Sequence, residues 1–471
     1  MLANIFFGSE QDGDRDFINI VNPYSQEIVS RYPKCTVQDT LKALEIAKKA
    51  SKYTKASLLS QRIAWLEDVA KKLEIEKEDI ARTITDEVGK PITFARIEVE
   101  RAIETIKLSV YAMVNLEGHT MNTDAMGSGK KTMAYYFREP VGVVACITPF
   151  NFPLNLVAHK IAPALVAGNA VVLKPTPEAP LTAYKFVKLF VESPFAIRDA
   201  ISLVYGDVEV GSTMVASDIP RVLSFTGSVP VGNIITKNAG IKKVSLELGG
   251  NAGTYIDKTA DIGLAAVRCA YGAFVNSGQV CISLQRIYVD GEVYDKFAEA
   301  LKEETLKLKI GDPYLDDTFA GPLINEESLK RAVSWVKSAV KEGAKVLCGN
   351  IHEGLNFYPT VMVDVTDEMK IICEEVFAPI VSIVRVSGYD EAIEKMNNSP
   401  YGLQFSIFTN NLGQTKRFIS EADCGGVVVN DIPTLRFDIQ PYGGTKMSGI
   451  GKEGPRFAIE EFTEIKSVVI C

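Results

Sequence analysis

The sequence predicts an α/β protein with more than one domain. Three observations support this fold class: the length of 471 residues, an ordinary globular composition, and a region where short apolar runs alternate with helical patterns. Single hydrophobic cores stop growing well below this length, so at least two packed units are expected. The hydrophobic fraction of 46% and the charged fraction of 23% exclude a disordered or low-complexity chain.

The first hundred or so residues are expected to be mostly helical. Apolar residues recur with helical spacing over 36–50, 60–84 and 92–112. Ahead of them, residues 1–16 hold an apolar run that is too short for a secretory signal and is followed by acids. A cytoplasmic protein is therefore expected.

From Val141 onward, short strands alternate with helices. The strand-like runs are VGVVACI, NAVVL, AISLVYG, RVLSF and KVSLEL, and helical patterns lie between them. This βαβ series predicts a largely parallel sheet. Prolines and Lys160 interrupt the apolar stretch 141–173, which favours a buried core over a membrane span.

A second α/β series follows Gly249. Helical patterns lie around 260–278, 290–308 and 325–342, and the strand-like runs are QRIYV, PIVSIVRV, YGLQFSIFT and GGVVVN. The polar, glycine-interrupted segment 119–140 predicts a hairpin that leaves the compact body, and the tail TEIKSVVIC is a second strand-like edge. The two edges are expected to pair with each other or with another subunit.

Charge, cysteine and histidine content exclude several classes of function. The net charge is −8 and no run of Lys and Arg offers a surface to nucleic acid. The eight cysteines include no CxxC pair, which favours free thiols in a reducing compartment over disulfides or a zinc site. None of the three histidines lies in a metal-binding pattern or a Ser-His pattern, so no metal is expected, and His159 is expected to pack on a helix face.

Three polar residues stand at the ends of predicted elements. Cys281 follows a helix-like stretch and a glycine, where backbone N–H groups stabilise a thiolate. Glu247 ends an apolar strand, where desolvation raises a carboxyl pKa and suits it to general base catalysis. Asn151 lies between two prolines that hold its amide as an oxyanion donor. These residues alone leave the alternative interpretations open. The alternatives are an inert buried cysteine at 281, a solvent-facing glutamate at 247 and an ordinary turn asparagine at 151.

Four further segments add to these three weak signals, and the ordered set of all seven is specific. Together with KPT (174–176), FTGSVPVG (225–232), EEVFAP (374–379) and PYGGTKMSGIGKEG (441–454), the three segments resemble the aldehyde dehydrogenase superfamily in order and spacing over nearly the whole chain. The resemblance implies a Rossmann-like cofactor domain (1–116 and 138–248), an α/β catalytic domain (249–440) and a small β oligomerisation extension (117–137 and 455–471). It also implies a homodimer or homotetramer. The charge balance and the interrupted apolar stretch argue against nucleic acid and membrane as partners.

The resemblance implies a reaction as well. The Cys281 thiolate attacks an aldehyde carbonyl while the Asn151 amide and the Cys281 N–H hold the oxyanion. A hydride passes to a nicotinamide cofactor, and Glu247 activates the water that hydrolyses the thioester to a carboxylic acid. CoA-acylating relatives normally lack this base, so Glu247 argues against that reaction.

Cofactor contacts are implied at matched positions. Gly227 and Ser228 begin the dinucleotide turn before a helix, Lys174 reaches the adenosine ribose, and Glu375 holds the nicotinamide ribose. The other implied contacts are Thr148, Pro149, Phe150, Thr176, Gly206, Gly211, Phe225, Thr226, Leu248, Gly249 and Phe377. Many NAD-preferring members carry a glutamate three residues after the lysine. Here Pro177 takes that position and Glu178 follows, so NADP stays open and NAD is only slightly favoured.

The segment NDIPTLRFDIQPYGG resembles members that oxidise small hydroxylated or anionic aldehydes. Anion-specific members have an arginine before the cysteine and a histidine after the asparagine, but here Val280 and Phe152 form an apolar wall that disfavours a dianion. A short 2-hydroxyaldehyde such as lactaldehyde is expected, and the alternative is a succinate-semialdehyde-type substrate held by an arginine. Three further residues complete the expected contacts: Arg101, Ile282 and Arg436. Surface charge pairing is equally open for the two arginines.

Overall fold

The structure is a computed structural model that describes residues 1–12 and 16–471. Residues 13–15, part of the acidic stretch after the first apolar run, lie outside the described residues. The helices of the described residues are α1 (Val37–Ala56), α2 (Leu59–Ile75), α3 (Lys77–Val88), α4 (Ile92–Val114), α5 (Asn155–Val166), α6 (Pro180–Val191), α7 (Val208–Ala216), α8 (Val229–Asn238), α9 (Ile262–Phe274), α10 (Tyr294–Leu306), α11 (Glu326–Lys341), α12 (Lys370–Cys373), α13 (Tyr389–Asn397), α14 (Leu412–Glu421) and α15 (Pro455–Glu461).

The strands of the same residues form six sheets of two to eight strands. They are β1 (Ile5–Phe7), β2 (Glu10–Asp12), β3 (Phe17–Val21), β4 (Ile28–Pro33), β5 (His119–Thr120), β6 (Met133–Pro140), β7 (Val143–Ile147), β8 (Ala170–Lys174), β9 (Ile201–Leu203), β10 (Val222–Thr226), β11 (Lys243–Glu247), β12 (Ala252–Ile256), β13 (Leu284–Asp290), β14 (Lys345–Cys348), β15 (His352–Glu353), β16 (Asn356–Phe357), β17 (Thr360–Val363), β18 (Ile380–Val386), β19 (Tyr401–Gly402), β20 (Gln404–Phe408), β21 (Gly426–Val429), β22 (Thr445–Lys446), β23 (Gly449–Ile450) and β24 (Thr463–Ile470).

The largest sheet has the order β2-β1-β9-β8-β7-β10-β11-β23. Its five central strands run parallel in the order β9-β8-β7-β10-β11. Strand β1 pairs antiparallel with β9, and β23 pairs antiparallel with β11. The central strands are almost entirely buried, as expected when helices cover both faces of a parallel sheet. The βαβ series predicted after Val141 is therefore confirmed, and its carboxyl ends meet at one edge.

The second sheet has the order β14-β17-β18-β13-β12-β20-β21 and is parallel except at β14. Helix α9, which precedes the Cys281 loop, packs on this sheet through Ala265, Ala266 and Cys269. Its first turn is capped by Asp261, whose side chain accepts the Leu264 N–H. This sheet confirms the second α/β series, so the fold is α/β throughout.

A third sheet joins the two edges that leave the main body. Strand β24 pairs antiparallel with β6 along its whole length, from Thr463 opposite Pro140 to Ile470 opposite Met133. The short strand β5 extends the same sheet on the other side of β6. The predicted edges therefore pair with each other.

Two details differ from the expectation for the first hundred residues. Ile5–Pro33 contributes four strands rather than helix, because β1 pairs with β9 and β3 pairs with β4. The long helical pattern over 60–84 divides into α2 and α3 at Glu76, where the backbone leaves the helical region. No helix among the described residues is long and apolar enough to cross a membrane.

Candidate active site

One cavity of about 420 Å³ lies between the carboxyl edge of the first sheet and the loops of the second. Cys281, Glu247 and Asn151 all line it, although the sequence places them on three separate segments. The five expected substrate contacts also line it: Arg101, Phe152, Val280, Ile282 and Arg436. Most of the cavity surface is apolar, so the few polar groups inside it decide the chemistry.

Cys281 lies in the loop between α9 and β13. The helix ends at Phe274, and Asn276, Ser277 and Gly278 follow with positive φ angles of 52°, 56° and 68°. Three successive left-handed residues reverse the chain and present the cysteine to the cavity. The Cys281 sulfur lies 2.9 Å from the Tyr442 hydroxyl. Burial raises the pKa of the thiol to about 11, and the Tyr442 hydrogen bond opposes that rise.

Asn151 is held by a buried ion pair between α4 and the chain before it. Lys90 pairs with Glu98, and its ammonium also donates to the Asn151 carbonyl at 2.7 Å. The Glu98 carboxylate accepts the N–H groups of Leu154 and Asn155 at the start of α5. The pair therefore fixes the backbone at the asparagine and in the residues that follow it. The Asn151 amide nitrogen donates to the carbonyl of Gln279, two residues before Cys281.

Glu247 is the last residue of β11, and its side chain is buried rather than facing water. Neither carboxyl oxygen has a hydrogen-bond partner. Burial raises the pKa of Glu247 well above its ordinary range, and the nearby Glu453 carboxylate adds to the rise. A carboxyl group in this setting is suited to exchange a proton with water in the cavity.

Asp438 links one wall of the cavity to two helices. Arg101 on α4 donates two hydrogen bonds to it, from Nε to Oδ2 at 2.9 Å and from Nη2 to Oδ1 at 2.7 Å. His159 on α5 lies 2.9 Å from the same carboxylate. Burial alone would raise the pKa of Asp438, but the hydrogen bonds from His159 and Arg101 hold it well below its ordinary value. Burial lowers the pKa of His159, which packs on its helix as expected.

Arg436 is buried, so surface charge pairing does not describe it. Its guanidinium binds Glu453 at 3.0 Å and lies over the Tyr442 ring, 3.7 Å from the centroid. Glu453 is also 3.2 Å from Lys160. The Arg436 Nε is buried without a hydrogen-bond partner, which leaves one donor beside the cavity.

A second group of cavity residues surrounds Glu375. Glu375 accepts the Gly250 N–H at 3.0 Å, and burial raises its pKa to about 7. A Cβ at Gly249 would lie 2.2 Å from a Glu375 carboxyl oxygen, so only glycine allows this approach. Phe377 packs edge-on against Phe150 with ring centroids 6.0 Å apart.

The carboxyl ends of β7 and β10 have the features of a dinucleotide site. Helix α8 begins after Ser228 without a side-chain cap, so the N–H groups of its first turn are available to an anion, except at Pro230, which has none. The hydroxyls of Thr148 and Thr226 are buried with no partner. These features fit a nicotinamide dinucleotide with its phosphates at the start of α8. Seven implied cofactor contacts from this region line the cavity: Pro149, Phe150, Thr226, Gly227, Ser228, Leu248 and Gly249.

The remaining implied cofactor contacts lie outside the cavity, at the carboxyl ends of β8 to β10. Lys174 ends β8, and burial lowers its pKa while Glu178 and Asp207 raise it. A Cβ at Gly211 would lie 3.9 Å from the Lys174 side chain. Three more belong to the same edge: Thr176, which bonds Glu178, Gly206 after β9, and Phe225 in β10.

The sequence reasoning missed several residues of the site. Tyr442 and Glu453 stand inside the quoted motif PYGGTKMSGIGKEG, but no role was assigned to them. Lys90, Glu98 and Asp438 carried no signal, because their partners are distant in the chain.

Comparisons with known proteins agree with this geometry. A model of the aldehyde dehydrogenase family matches residues 9–468. The 3-sulfolactaldehyde dehydrogenase of Priestia megaterium is 40% identical over 467 residues, covering 99% of this chain and 97% of that protein. The lactaldehyde dehydrogenase of Methanococcus aeolicus is 39% identical over 461 residues, covering 97% and 98%.

Solved structures extend the likeness to the whole fold. Aldehyde dehydrogenase 21 of Physcomitrella patens, in complex with its reaction product succinate, has a TM-score of 0.97 at 37% identity and covers 100% of this chain and 98% of that one. The NADP-dependent glyceraldehyde-3-phosphate dehydrogenase of Bacillus halodurans, complexed with NADP, has a TM-score of 0.97 at 34% identity and covers 100% and 99%. The chain therefore belongs to the aldehyde dehydrogenase family and is an NAD(P)-dependent enzyme that oxidises aldehydes.

Proposed function

We propose that Cys281 is the nucleophile, Asn151 the oxyanion donor and Glu247 the general base of this enzyme. The observation that carries the proposal is the convergence of the three side chains on one cavity whose other walls are largely apolar. The Cys281 thiolate attacks the aldehyde carbon and forms a thiohemiacetal oxyanion. The Asn151 amide has two N–H donors; the Gln279 carbonyl takes one of them, which leaves the other for the oxyanion.

Glu247 acts in the second half of the reaction. Its carboxyl lies free of hydrogen bonds at the end of β11, so it can accept a proton from a water molecule that attacks the thioester. Hydrolysis releases the carboxylic acid and restores the thiol. When bound, the dinucleotide supplies the hydride acceptor for the step between attack and hydrolysis.

We propose that the dinucleotide lies along the carboxyl edge of the first sheet. Thr148, Gly227, Ser228 and the start of α8 would hold the phosphates, and Lys174 the adenosine ribose. Glu375 and Phe377 would hold the nicotinamide end. The carboxylates of Glu178 and Asp207 near Lys174 disfavour a 2′-phosphate, so NAD is preferred over NADP.

We propose a short 2-hydroxyaldehyde, such as lactaldehyde, as the substrate. Arg101 is neutralised by a bidentate bond to Asp438, and Arg436 by Glu453, so the cavity holds little free positive charge. The unpartnered Arg436 Nε suits a neutral hydroxyl on the carbon next to the aldehyde. Val280, Ile282 and Phe152 limit the size of the remaining group.

An aldehyde with an anionic far end is the second candidate. One observation favours it: Arg101, Arg436 and Lys90 line a single cavity, and a carboxylate or sulfonate could share their donors. The relatives named for 3-sulfolactaldehyde and the neighbour bound to succinate fit this reading.

A panel of four aldehydes separates the two candidates. Propionaldehyde has neither group, lactaldehyde has only the hydroxyl, succinate semialdehyde has only the anion, and 3-sulfolactaldehyde has both. We expect the hydroxyl to raise kcat/KM by about 10-fold or more and the anion to raise it less. A hundredfold preference for succinate semialdehyde over lactaldehyde would reject our first choice. The panel is run with NAD and with NADP, and a strong NADP preference would reject the nucleotide proposal.

The assignment of Cys281 is tested by Cys281→Ala. We expect turnover to be lost while nucleotide binding, measured by titration calorimetry, is retained. The matched control is Cys424→Ala, a half-buried cysteine outside the cavity, which should keep full activity. Surviving NADH production by Cys281→Ala would contradict the assignment.

We further propose the domain organisation and assembly that the resemblance implies. The cofactor domain comprises 1–116 and 138–248, the catalytic domain 249–440, and the oligomerisation extension 117–137 and 455–471. The paired edges β6 and β24 support a homodimer or homotetramer built through this extension. A cytoplasmic location is supported by the eight cysteines, which are all free thiols.

A further inference from the structure

The Tyr442 hydroxyl is placed against the reacting sulfur. Tyr442 is 5% exposed, and its oxygen lies 2.9 Å from the Cys281 sulfur, within the distance for an O–H···S hydrogen bond. Its ring packs with Val280, Ile282 and Leu403, so these contacts fix the direction of the hydroxyl. The proposed reaction uses the sulfur but leaves this hydroxyl without a role.

The direction of the bond depends on the state of the sulfur. When Cys281 is a neutral thiol, either atom is able to donate. A thiolate has no proton, so the phenol must donate to it and the bond becomes charge-assisted. The bond is therefore stronger to the thiolate than to the thiol, and it stabilises the nucleophilic form.

Arg436 strengthens the same effect from behind the ring. Its guanidinium carbon lies 3.7 Å from the Tyr442 centroid, which places a positive charge on the ring face. A nearby cation makes a phenol a better donor. The other charged groups that face the thiol are Glu247 and Glu375, and ionisation of either opposes the thiolate. The hydrogen bond from Tyr442 therefore opposes the effect of burial, which disfavours the thiolate form of Cys281.

We propose that Tyr442 is a catalytic residue that donates a hydrogen bond to the Cys281 thiolate and holds it ready for attack. The proposal rests on Cys281 being the nucleophile. The bond acts when the thiolate attacks the aldehyde carbon. It acts again when the sulfur leaves as a thiolate during hydrolysis of the thioester, because the sulfur carries negative charge at both points.

Tyr442→Phe removes the hydroxyl and keeps the ring and its packing. The rate at which iodoacetamide alkylates Cys281 is measured against pH by peptide-resolved mass spectrometry, so that the other seven cysteines do not contribute. We expect the midpoint of this profile to move up by about one pH unit, the effect of losing a hydrogen bond to a charged acceptor. The acylation rate should fall by about threefold near neutral pH, because the smaller thiolate fraction is partly offset by the greater nucleophilicity of a more basic thiolate.

The matched control is Tyr389→Phe. Tyr389 is 6% exposed, and its hydroxyl bonds Glu421 away from the cavity, so the variant removes the hydroxyl of a tyrosine with similar overall burial. Its alkylation profile should equal that of the parent protein. An unchanged profile in Tyr442→Phe would overturn the proposal. Labelling does not require turnover, so failure of the Cys281 assignment would instead be seen as activity in Cys281→Ala.

Discussion

Glu247 combines two properties that rarely occur together, complete burial and a carboxyl group with no hydrogen-bond partner. Leaving a buried polar group unpaired costs roughly 1–3 kcal/mol of folding free energy. Protonation lowers that cost, because a neutral carboxyl needs less solvation than a carboxylate. The raised pKa of Glu247 is the direct result, and it makes the ionised form a stronger base than an exposed carboxylate.

Glu247→Gln removes the proposed base and keeps the shape of the side chain. We expect the enzyme to form one equivalent of NADH in a burst and then stall, because the thioester is no longer hydrolysed. Steady-state turnover should fall by about 100-fold or more, as measured by stopped-flow absorbance. The control is Glu353→Gln, an exposed glutamate in β15. Loss of the burst itself would contradict a role limited to hydrolysis.

The pH dependence of hydrolysis follows from the sign of the same shift. The base works only when ionised, and burial moves the pKa of Glu247 upward. Deacylation should therefore still increase with pH in the range where an ordinary carboxyl is already fully ionised. The single-turnover deacylation rate measures this, and in Glu247→Gln its pH profile should be flat. A parent profile that levels off near the ordinary glutamate value would show that the group is not desolvated in solution.

Individual residues were predictable only where a motif carries them. Cys281, Asn151 and Glu247 lie in short segments that resemble family motifs, and the resemblance implies a role for each. Tyr442 also lies in such a segment, but the resemblance implied no role for it. Asp438 and Lys90 depend on contacts that no local pattern encodes. Asp438 meets Arg101 across 337 residues, and Lys90 meets Asn151 across 61. Contacts between residues this far apart in sequence become visible only when the chain is folded.

At the scale of elements, the segment Asn276–Gly278 is where backbone strain serves the site. Left-handed backbone in a residue other than glycine costs of order 1–3 kcal/mol. The segment includes two such residues, and the bonds from the Asn276 amide to the carbonyls of Asn151 and Gln279 help to hold it. The strain ends α9 and sets the approach of Cys281 to the cavity.

Gly278→Ala tests this element. A Cβ at this position would lie 2.3 Å from the Ala378 carbonyl oxygen, on a backbone with φ of 68°. We expect the variant to lose about 2–4 kcal/mol of unfolding free energy and most of its activity, as measured by denaturant melts and turnover. Gly240→Ala is the matched control, since its φ is 63° but no atom lies within 4 Å. Equal losses in both variants would show that backbone angle alone, and not the contact, sets the cost.

The elements that the sequence predicted share one property. Strands β7, β8, β10 and β11 and helices α4 to α6 are long enough for hydrophobic spacing to identify them, and the three-residue strand β9 lies within the longer apolar run AISLVYG. Strand β1 has three residues and depends on Phe6 pairing with Leu203 of β9. This strand forms because the edge of β9 is available for pairing. Three residues are too few to show an alternating hydrophobic pattern.

At the scale of the whole molecule, the extension leaves an apolar face exposed. Ile465 and Val469 lie on the same side of β24 and are 58% and 57% exposed. Replacing both with lysine should prevent assembly while the β24–β6 pairing stays intact, because side chains and not backbone are changed. Light scattering should show the parent as a dimer or tetramer and the variant as a monomer. Ile75→Lys, on the exposed end of α2, is the control and should not alter the mass. A monomeric parent would contradict the proposed assembly.

The buried carboxylate of Asp438 ties α4, α5 and the chain before Tyr442 together beside the cavity. Its partners come from α4 and α5, so Arg101 cannot move without breaking both of its hydrogen bonds to this carboxylate. Because Arg101 lines the cavity, we expect this wall to stay in place when an aldehyde enters, and bulky aldehydes to react slowly for that reason.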